Sequence, residues 1–224
     1  MKSDSQLQLD VIAELKWEPL LGAAEIGVTA KDGIITLSGV VDSYGKKIEA
    51  EDAAKKVAGV KAVVEKIEIK FHSSYAKKDD NDIAKEIVSA LKASWQVPDD
   101  KVKVRVEKGW VTLEGEVLWN YESDAAKSAV KFLSGVTGVS NNIHVKTPIE
   151  NAIEKSNIEN ALRRNWSIND KDIHVAVSGH KVTLTGIVNS VYQKDEAARI
   201  AWNAPGVWSV DNELIVDYVY SLAD

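Results

Sequence analysis

The segment GWVTLEGEV, residues Gly109–Val117, indicates how this 224-residue chain is built, because near copies of it occur twice more. The copies are GIITLSGVV at Gly33–Val41 and HKVTLTGIV at His180–Val188. In every copy the interior glycine is followed by a second glycine 20 positions later. The pairs are Gly39 with Gly59, Gly115 with Gly135, and Gly186 with Gly206. This fixed internal spacing indicates a tandem repeat.

The residues around each copy predict the same order of elements. Before the second copy, Ile83, Ile87 and Leu91 follow helical spacing. Two alternating apolar runs joined by a glycine-containing turn then predict a β-hairpin, followed by an alanine-bearing helix and a last strand. The predicted fold class is therefore α+β: three tandem αββαβ units, each a three-stranded mixed sheet with two helices on one face. The predicted domains span residues 3–71, 79–147 and 151–219.

The repeated glycines are interpreted as structural. Strand parity puts Gly39, Gly115 and Gly186 on the same face as the inward leucine two residues earlier. We expect the second helix to lie against this face so closely that a side chain at these positions would strike it. Gly59 is expected to cap the alanine-rich helix, and Gly135 and Gly206 follow the corresponding helices.

Composition and charge narrow the possible functions. The chain has no cysteine, so disulfides, thiol nucleophiles and thiolate metal sites are excluded. The net charge is −6, and it falls from 0 over residues 1–78 to −2 over 79–148 and −4 over 149–224. Nucleic-acid binding depends on basic patches that face phosphates, and the sequence offers only short basic pairs such as Arg163-Arg164. We therefore expect no nucleic-acid partner.

The N-terminal sequence predicts the compartment. It reads MKSDSQLQLDV, with no apolar core and no small-residue cleavage site of a signal peptide. No window approaches 18 consecutive apolar residues. The expected location is cytoplasmic, or periplasmic if an N-terminal segment has been trimmed away.

The last strand of each unit carries a shared motif: GVKAVVEKIEI from Gly59, GVTGVSNNIHV from Gly135 and GVWSVDNELIV from Gly206. Together with GxVxLxG in the hairpin, this pattern resembles the BON (bacterial OsmY and nodulation) domain family, also called transport-associated domains. The first copy departs from the pattern at Glu65, where the others have Asn141 and Asn212, and the third has His180 in place of the first hairpin glycine.

The resemblance implies a bacterial, non-enzymatic binding module. Relatives occur in envelope and osmotic-stress proteins, where they are associated with phospholipid surfaces or with holding other proteins, and some bind potassium. We therefore expect a stress-related protein that acts at membrane surfaces or on client proteins. The alternatives are a self-associating ring or pore with a transport role, and potassium or other cation binding.

The residues themselves indicate no catalytic or metal site. A nucleophile needs a base and an orienting group, and the histidines supply neither by their spacing. They are His72, His144, His174 and His180. His174 and His180 lie on a strand and its adjoining turn, but two histidines leave a metal site short of ligands. No cofactor is expected, and we predict that the protein is not an enzyme.

Tryptophans recur at the end of the first helix of each unit, as Trp17, Trp95 and Trp166. Trp95 and Trp166 each follow a core leucine by four residues, which favours a tryptophan lid over the core. The alternative is an aromatic edge that enters lipid headgroups or grips a partner, especially where Arg163 and Arg164 precede Trp166.

A second aromatic group follows the hairpins: Trp119, Tyr121, Tyr192 and Tyr44. We expect these residues in loops, where burial is less common, and they are interface candidates because exposed aromatic clusters mark contact surfaces. Packing between neighbouring units is the alternative.

The sheet face opposite the helices is the third candidate surface. It is predicted to carry Thr36, Ser38, Lys103, Arg105, Thr112, Glu114, His174, Thr183 and Thr185. A polar sheet face of this kind is usually solvated. The edge strands remain available for pairing with other chains.

Overall fold

Each repeat follows the order αββαβ, so the predicted fold class is confirmed. The first repeat has α1 (Asp4–Trp17), β1 (Ile26–Lys31), β2 (Ile34–Val41), α2 (Tyr44–Lys56) and β3 (Ala62–Ile69). The second has α3 (Asp80–Ala93), β4 (Val102–Glu107), β5 (Trp110–Val117), α4 (Asn120–Val130) and β6 (Gly138–Val145). The third has α5 (Lys155–Arg164), β7 (Ile173–Ser178), β8 (Lys181–Val188), α6 (Val191–Trp202), β9 (Ser209–Asn212) and β10 (Ile215–Val216).

This computed structural model describes residues 2–21, 26–71, 78–146, 153–168 and 172–217. Contacts divide the chain into two compact units. One combines residues 1–39, 49–67 and 151–224, and the other combines residues 40–48 with 68–150. The first repeat therefore contributes residues to both units, and the second unit is built mainly from the second repeat.

The sheets are mixed, with the second strand of the hairpin in the centre. In the second repeat the order is β4-β5-β6; β4 is antiparallel and β6 parallel to β5. Leu113 pairs with Val104 on one side and with Asn141 on the other. In the third repeat β9 and β10 both pair in parallel with β8, so they act as one interrupted closing strand.

Both helices of the second repeat pack on one face of its sheet. Val111, Leu113 and Val117 on β5 are buried, as the two-residue period of the strand predicts. They share a core with α3 and α4, which contribute Ile83, Ile87, Leu91, Ala126 and Val130. The third repeat has an equivalent core that includes Leu162, Leu184 and Ala197.

The reason for the interior glycines differs from the expected one. A Cβ at Gly115 would overlap the carbonyl oxygen of Lys101, and one at Gly186 would overlap that of Asp172. The obstacle is therefore backbone immediately before the hairpin, rather than the second helix. Gly39, Gly115 and Gly186 also have φ of 141°, 147° and 127°, which other residues rarely adopt.

The second set of glycines lies in turns beyond the helices. Gly59, Gly135 and Gly206 have φ of 100°, 94° and 89°. Each is the third residue of a four-residue turn closed by a backbone hydrogen bond, as from Val60 N–H to the Val57 carbonyl at 3.1 Å. This is the position that needs positive φ in a type II turn. The expectation that Gly59 caps α2 is wrong, because α2 ends at Lys56.

The hairpin turn of the third repeat accommodates His180 by moving the glycine one position earlier. In the second repeat Lys108 and Gly109 both have positive φ (51° and 77°), which is the requirement of a type I′ turn. In the third repeat Gly179 has φ of 59° and His180 keeps negative φ. A single glycine at the first central position is typical of a type II′ turn.

Candidate binding surfaces

The tryptophans at the first-helix ends do not cover the core. Trp17 is 84% exposed, Trp95 88% and Trp166 96%. The expectation of a tryptophan lid over the core is therefore wrong. The high exposure of the three side chains agrees with the alternative, an exposed aromatic edge.

Helix termination explains why Trp95 and Trp166 face outward. The helical period would carry Trp95 above Leu91, but α3 ends at Ala93. The next residue, Ser94, has extended backbone geometry (φ −86°, ψ 110°), and Asn165 has the same role before Trp166 (φ −86°, ψ 114°). The four-residue spacing holds only inside a helix, so it does not bring these side chains back to the core.

Trp17 reaches solvent in a different way. It is the last residue of α1 and lies two positions after the buried Leu15. Residues two apart point to opposite sides of a helix. Trp17 is therefore exposed although it is still helical.

Basic side chains precede each exposed tryptophan. Lys16 lies in the last turn of α1 and Lys92 in the last turn of α3. Arg163 and Arg164 are exposed in the last turn of α5. Cations at a helix C-terminus also interact favourably with the helix dipole, so part of their role is local. Each helix end still presents a cation beside an indole.

Of the aromatic residues after the hairpins, only Trp119 lies in a connecting segment, and the three tyrosines are helical. Tyr44, Tyr121 and Tyr192 lie in the first turns of α2, α4 and α6, and Trp119 immediately precedes α4. The backbone N–H of Trp119 donates to Glu122 Oε2 at 3.0 Å, which helps to begin α4. Tyr121 and Tyr192 are exposed, and Trp119 is partly buried.

Tyr44 differs from the other three because it is only 9% exposed. It belongs to the hydrophobic core that contains Ile83, Ile87 and Leu113. Tyr44 therefore packs within the second compact unit. The expectation that it is a surface residue is wrong, and the alternative of packing between repeats describes it.

The sheet face opposite the helices is polar in the second repeat, as expected. Strand register arranges its outward side chains in three rows across β4, β5 and β6. The rows are Glu107, Trp110 and Gly138; Arg105, Thr112 and Ser140; and Lys103, Glu114 and Asn142. Thr112 is an exception to the expected solvation: it is buried, and its hydroxyl accepts from Arg105 Nη2 at 3.5 Å.

Trp110 is a surface residue that was not among the binding candidates predicted from the sequence. Its indole N–H donates to Ser140 Oγ at 2.9 Å, and its ring lies where a Cβ at Gly138 would be. A groove of about 520 Å³ runs beside it over the sheet. The signal was readable in GWVTLEGEV, because Trp110 has the same strand parity as the outward Thr112 and Glu114.

His174 and His180 lie apart in the structure. His174 pairs with Thr185 near the start of β7, whereas His180 lies beyond the end of that strand. The His180 ring stacks on Trp208 at 3.9 Å, and its Nδ1 is 2.8 Å from the Gly206 carbonyl oxygen. His72 lies outside the described residues. Within the described ranges, no three His, Asp or Glu side chains are grouped as metal ligands.

Comparison with known families agrees with the repeated fold. The BON domain model matches this chain three times, at residues 3–70, 79–147 and 151–218. The chain belongs to the BON domain family. A relative with 33% identity over 146 residues is the osmotically-inducible protein Y of Escherichia coli (strain K12), with the match covering 64% of this chain and 73% of the relative.

Solved structures show only weak similarity. CdsD, a structural protein of the type III secretion system of Chlamydia trachomatis, aligns with 14% identity over 96% of this chain and 94% of its own, with a TM-score of 0.26. The PrgH periplasmic domain aligns with 11% identity over 93% of this chain and 99% of its own, with a TM-score of 0.21. These values carry no argument about function. None of the helices in the described ranges combines the length and the apolar composition of a membrane-spanning segment.

Proposed function

We propose that this BON-domain protein is a bacterial, non-enzymatic binding protein of the osmotic-stress response that docks on phospholipid membrane surfaces. The observation that carries the proposal is the exposure of Trp17, Trp95 and Trp166, one at the first-helix end of each repeat. The printed name of the Escherichia coli relative, osmotically-inducible protein Y, supports the link to osmotic stress.

The chemistry of these helix ends fits a lipid interface. Indole combines a large apolar ring with a single N–H donor, and tryptophan is enriched where hydrocarbon meets headgroups for that reason. The neighbouring basic residues, Lys16, Lys92, Arg163 and Arg164, suit contact with lipid phosphates. Trp17 and Trp166 belong to one compact unit and Trp95 to the other, so each unit carries a candidate contact of its own.

The charge of the chain sets the expected lipid preference. With a net charge of −6, long-range attraction to anionic membranes is weak or unfavourable. Binding through inserted indoles should therefore persist on zwitterionic vesicles and change little with salt.

Vesicle flotation tests the proposal. Phosphatidylcholine vesicles, with and without phosphatidylglycerol, are mixed with the wild-type protein and with the triple variant Trp17→Ala, Trp95→Ala, Trp166→Ala. Wild type should float with both vesicles, and the triple variant should remain in the dense fraction. Trp110→Ala is the matched control, because it removes an equally large aromatic from a different surface and should float as wild type does.

Two results would contradict the proposal. Wild type that floats with neither vesicle excludes membrane docking, and a triple variant that floats as well as wild type excludes these tryptophans as the contact. The thermal melt of the triple variant should agree with wild type, since the three side chains are solvent-exposed. A third result would favour the alternative function. If wild type binds a purified client protein and the triple variant does not, the tryptophans dock on client proteins rather than on lipid.

Self-association into a ring or pore and the binding of potassium or another cation remain predictions. Light scattering across a range of protein concentrations tests the first, and calorimetric titration with potassium chloride against sodium chloride tests the second.

A further inference from the structure

The polar sheet face of the second repeat holds an indole in a fixed orientation. Trp110 lies over Gly138, where any side chain would overlap its ring, and its N–H is held by Ser140 Oγ. The side chain remains 51% exposed. The ring thus packs against the backbone at Gly138, and the exposed part of the side chain lines the groove. An aromatic platform that is already oriented loses little conformational entropy when a ligand stacks on it.

The polar groups that line the groove beside Trp110 are weakly engaged by the rest of the protein. Within the described part of the chain, neither the Asn142 amide nor the Lys108 ammonium makes a side-chain hydrogen bond or ion pair, and both line the groove. The Arg105 guanidinium is only loosely engaged, 3.5 Å from Thr112 Oγ1 and 3.9 Å from Glu107. These groups can donate to a ligand without breaking a strong internal contact.

The shape of the groove favours an extended ligand. It lies open along the sheet rather than forming a closed cavity, whereas pockets for small compact ligands bury most of the ligand surface. Along β6 and the residue before it, the groove lining runs from Thr137 to Asn142, about 16 Å of extended chain, which is enough for several linked rings. A free mononucleotide would lack the backbone N–H cradle or helix N-terminus that usually holds its phosphates.

The charge of the groove favours an acidic ligand. Its lining contains Arg105 and Lys108 against the single acid Glu107, in a chain whose net charge is −6. An extended ligand with flat apolar ring faces, hydroxyl edges and carboxylates matches the platform, the amide and the cations together. We propose that this groove binds an acidic oligosaccharide, with one sugar ring stacked on Trp110 and a carboxylate near Lys108 and Arg105.

The other repeats do not repeat this platform. In the third repeat the indole of Trp208 is covered by the His180 ring at 3.9 Å. In the first repeat the residue that corresponds to Trp110 is Ile34. Among the described residues, the open indole on a sheet face is therefore a feature of the second repeat. The site is independent of the proposed membrane contact, which uses other residues.

Calorimetric titration of the full chain with two matched probes tests this inference. The probes are β-1,4-linked tetraglucuronate and cellotetraose, which share linkage and length and differ in the carboxylates. At low salt, tetraglucuronate should bind about fivefold tighter than cellotetraose, as expected for exposed ion pairs. High salt should remove that difference while stacking persists.

Variants separate the two parts of the site. Trp110→Ala should weaken both probes by about tenfold, because it removes the stacking surface. Lys108→Gln should weaken the binding of tetraglucuronate and leave that of cellotetraose unchanged. Because the Lys108 side chain is exposed, this substitution should not disturb the fold. Trp95→Ala, the matched aromatic control, should bind both probes as wild type does.

The proposal is overturned if wild type binds no tetraglucuronate, or if it binds both probes equally at low salt. It is also overturned if Trp110→Ala, shown to be folded by an unchanged thermal melt, binds as wild type does. Vesicle flotation of the same Trp110→Ala protein should be normal, so failure of this proposal is distinct from failure of membrane docking.

Discussion

The side-chain amide of Asn141 donates to Ser123 twice, to the carbonyl oxygen at 3.1 Å and to the hydroxyl at 2.9 Å. Its Oδ1 accepts from the backbone N–H of Ile143 at 3.3 Å. Asn141 thereby connects β6 to the first turns of α4. Asn212 makes the same pair of contacts in the third repeat, donating to the Lys194 carbonyl at 2.7 Å and accepting from Leu214 at 3.4 Å.

The first repeat shows what the departure at Glu65 changes. The Glu65 carboxylate still accepts from the backbone N–H of Ile67. An ionised carboxylate has no N–H, so it cannot donate to the helix as the asparagines do. The first repeat keeps the strand contact of the motif and lacks the donated hydrogen bond to the helix.

Asn141→Ala should lower the free energy of unfolding by about 1 to 2 kcal/mol, because Ser123 is buried and loses its hydrogen-bond donor. Urea denaturation measures the change. Asn142→Ala is the control, since its side chain lies on the open face, and it should unfold within a few tenths of a kcal/mol of wild type, about the usual range for surface substitutions. Equal destabilisation by the two variants would contradict this role of Asn141.

Gly115→Ala should lower the free energy of unfolding by about 3 kcal/mol, because it combines unfavourable φ with overlap on the Lys101 carbonyl. Gly27→Ala is a milder matched change. Gly27 has no strained φ; its new Cβ would be close to the movable Ser38 Oγ, at 2.9 Å, and at an ordinary contact distance of 3.7 Å from the Ser38 carbonyl oxygen. Thermal unfolding should rank the two variants clearly. A Gly115→Ala melt that matches wild type would refute the backbone explanation.

Gly45→Ala should destabilise the protein by about 1 to 3 kcal/mol, because the added methyl group would overlap the Phe132 ring. In a Phe132→Ala background the same change should become neutral or stabilising, since alanine is about 1 kcal/mol better than glycine within a helix. A double-mutant cycle by urea denaturation measures this change of sign. Additive effects would show that the two residues are not in contact in solution.

Glu196→Gln should destabilise the protein by about 1 kcal/mol at pH 7, a figure reduced for the exposure of Arg199. Hydrogen bonds from Arg199 at 2.7 and 2.6 Å, with a further one from Asn165 at 2.8 Å, hold the pKa of Glu196 below its ordinary value of 4.5. A lowered folded-state pKa stabilises the protein above pH 4.5, and this stabilisation is lost as the pH falls through the folded-state pKa.

Urea denaturation of the Glu196→Gln protein at a series of pH values measures this dependence. The difference from wild type should shrink as the pH falls below 4.5. Glu159→Gln, which removes an exposed ion pair to Lys155 at 3.2 Å, is the control and should have a smaller effect at neutral pH. A pH-independent difference for Glu196→Gln would exclude the ionic explanation.

Much of the fold was predictable because its signals are local. The inward positions Val111 and Leu113 follow from strand parity, and Ile83, Ile87 and Leu91 from helical spacing. The candidate surfaces were less predictable. Trp95 was misplaced because the helical period was extended past Ala93, where α3 ends. Tyr44 was misplaced because the core that buries it comes largely from another repeat.

The three αββαβ repeats, their BON family and the inward face of each element follow from the order of the amino acids alone. These features depend on the periodicity of apolar residues and on turn residues. Both are local patterns that can be recognised within a short segment of sequence. Three features depend on the three-dimensional packing: a side chain at Gly115 would overlap the Lys101 backbone, Tyr44 is buried, and the ring of Trp110 packs against Gly138. Each of these depends on where a chain segment outside the local pattern comes to lie, and spacing along one strand or helix does not encode that position.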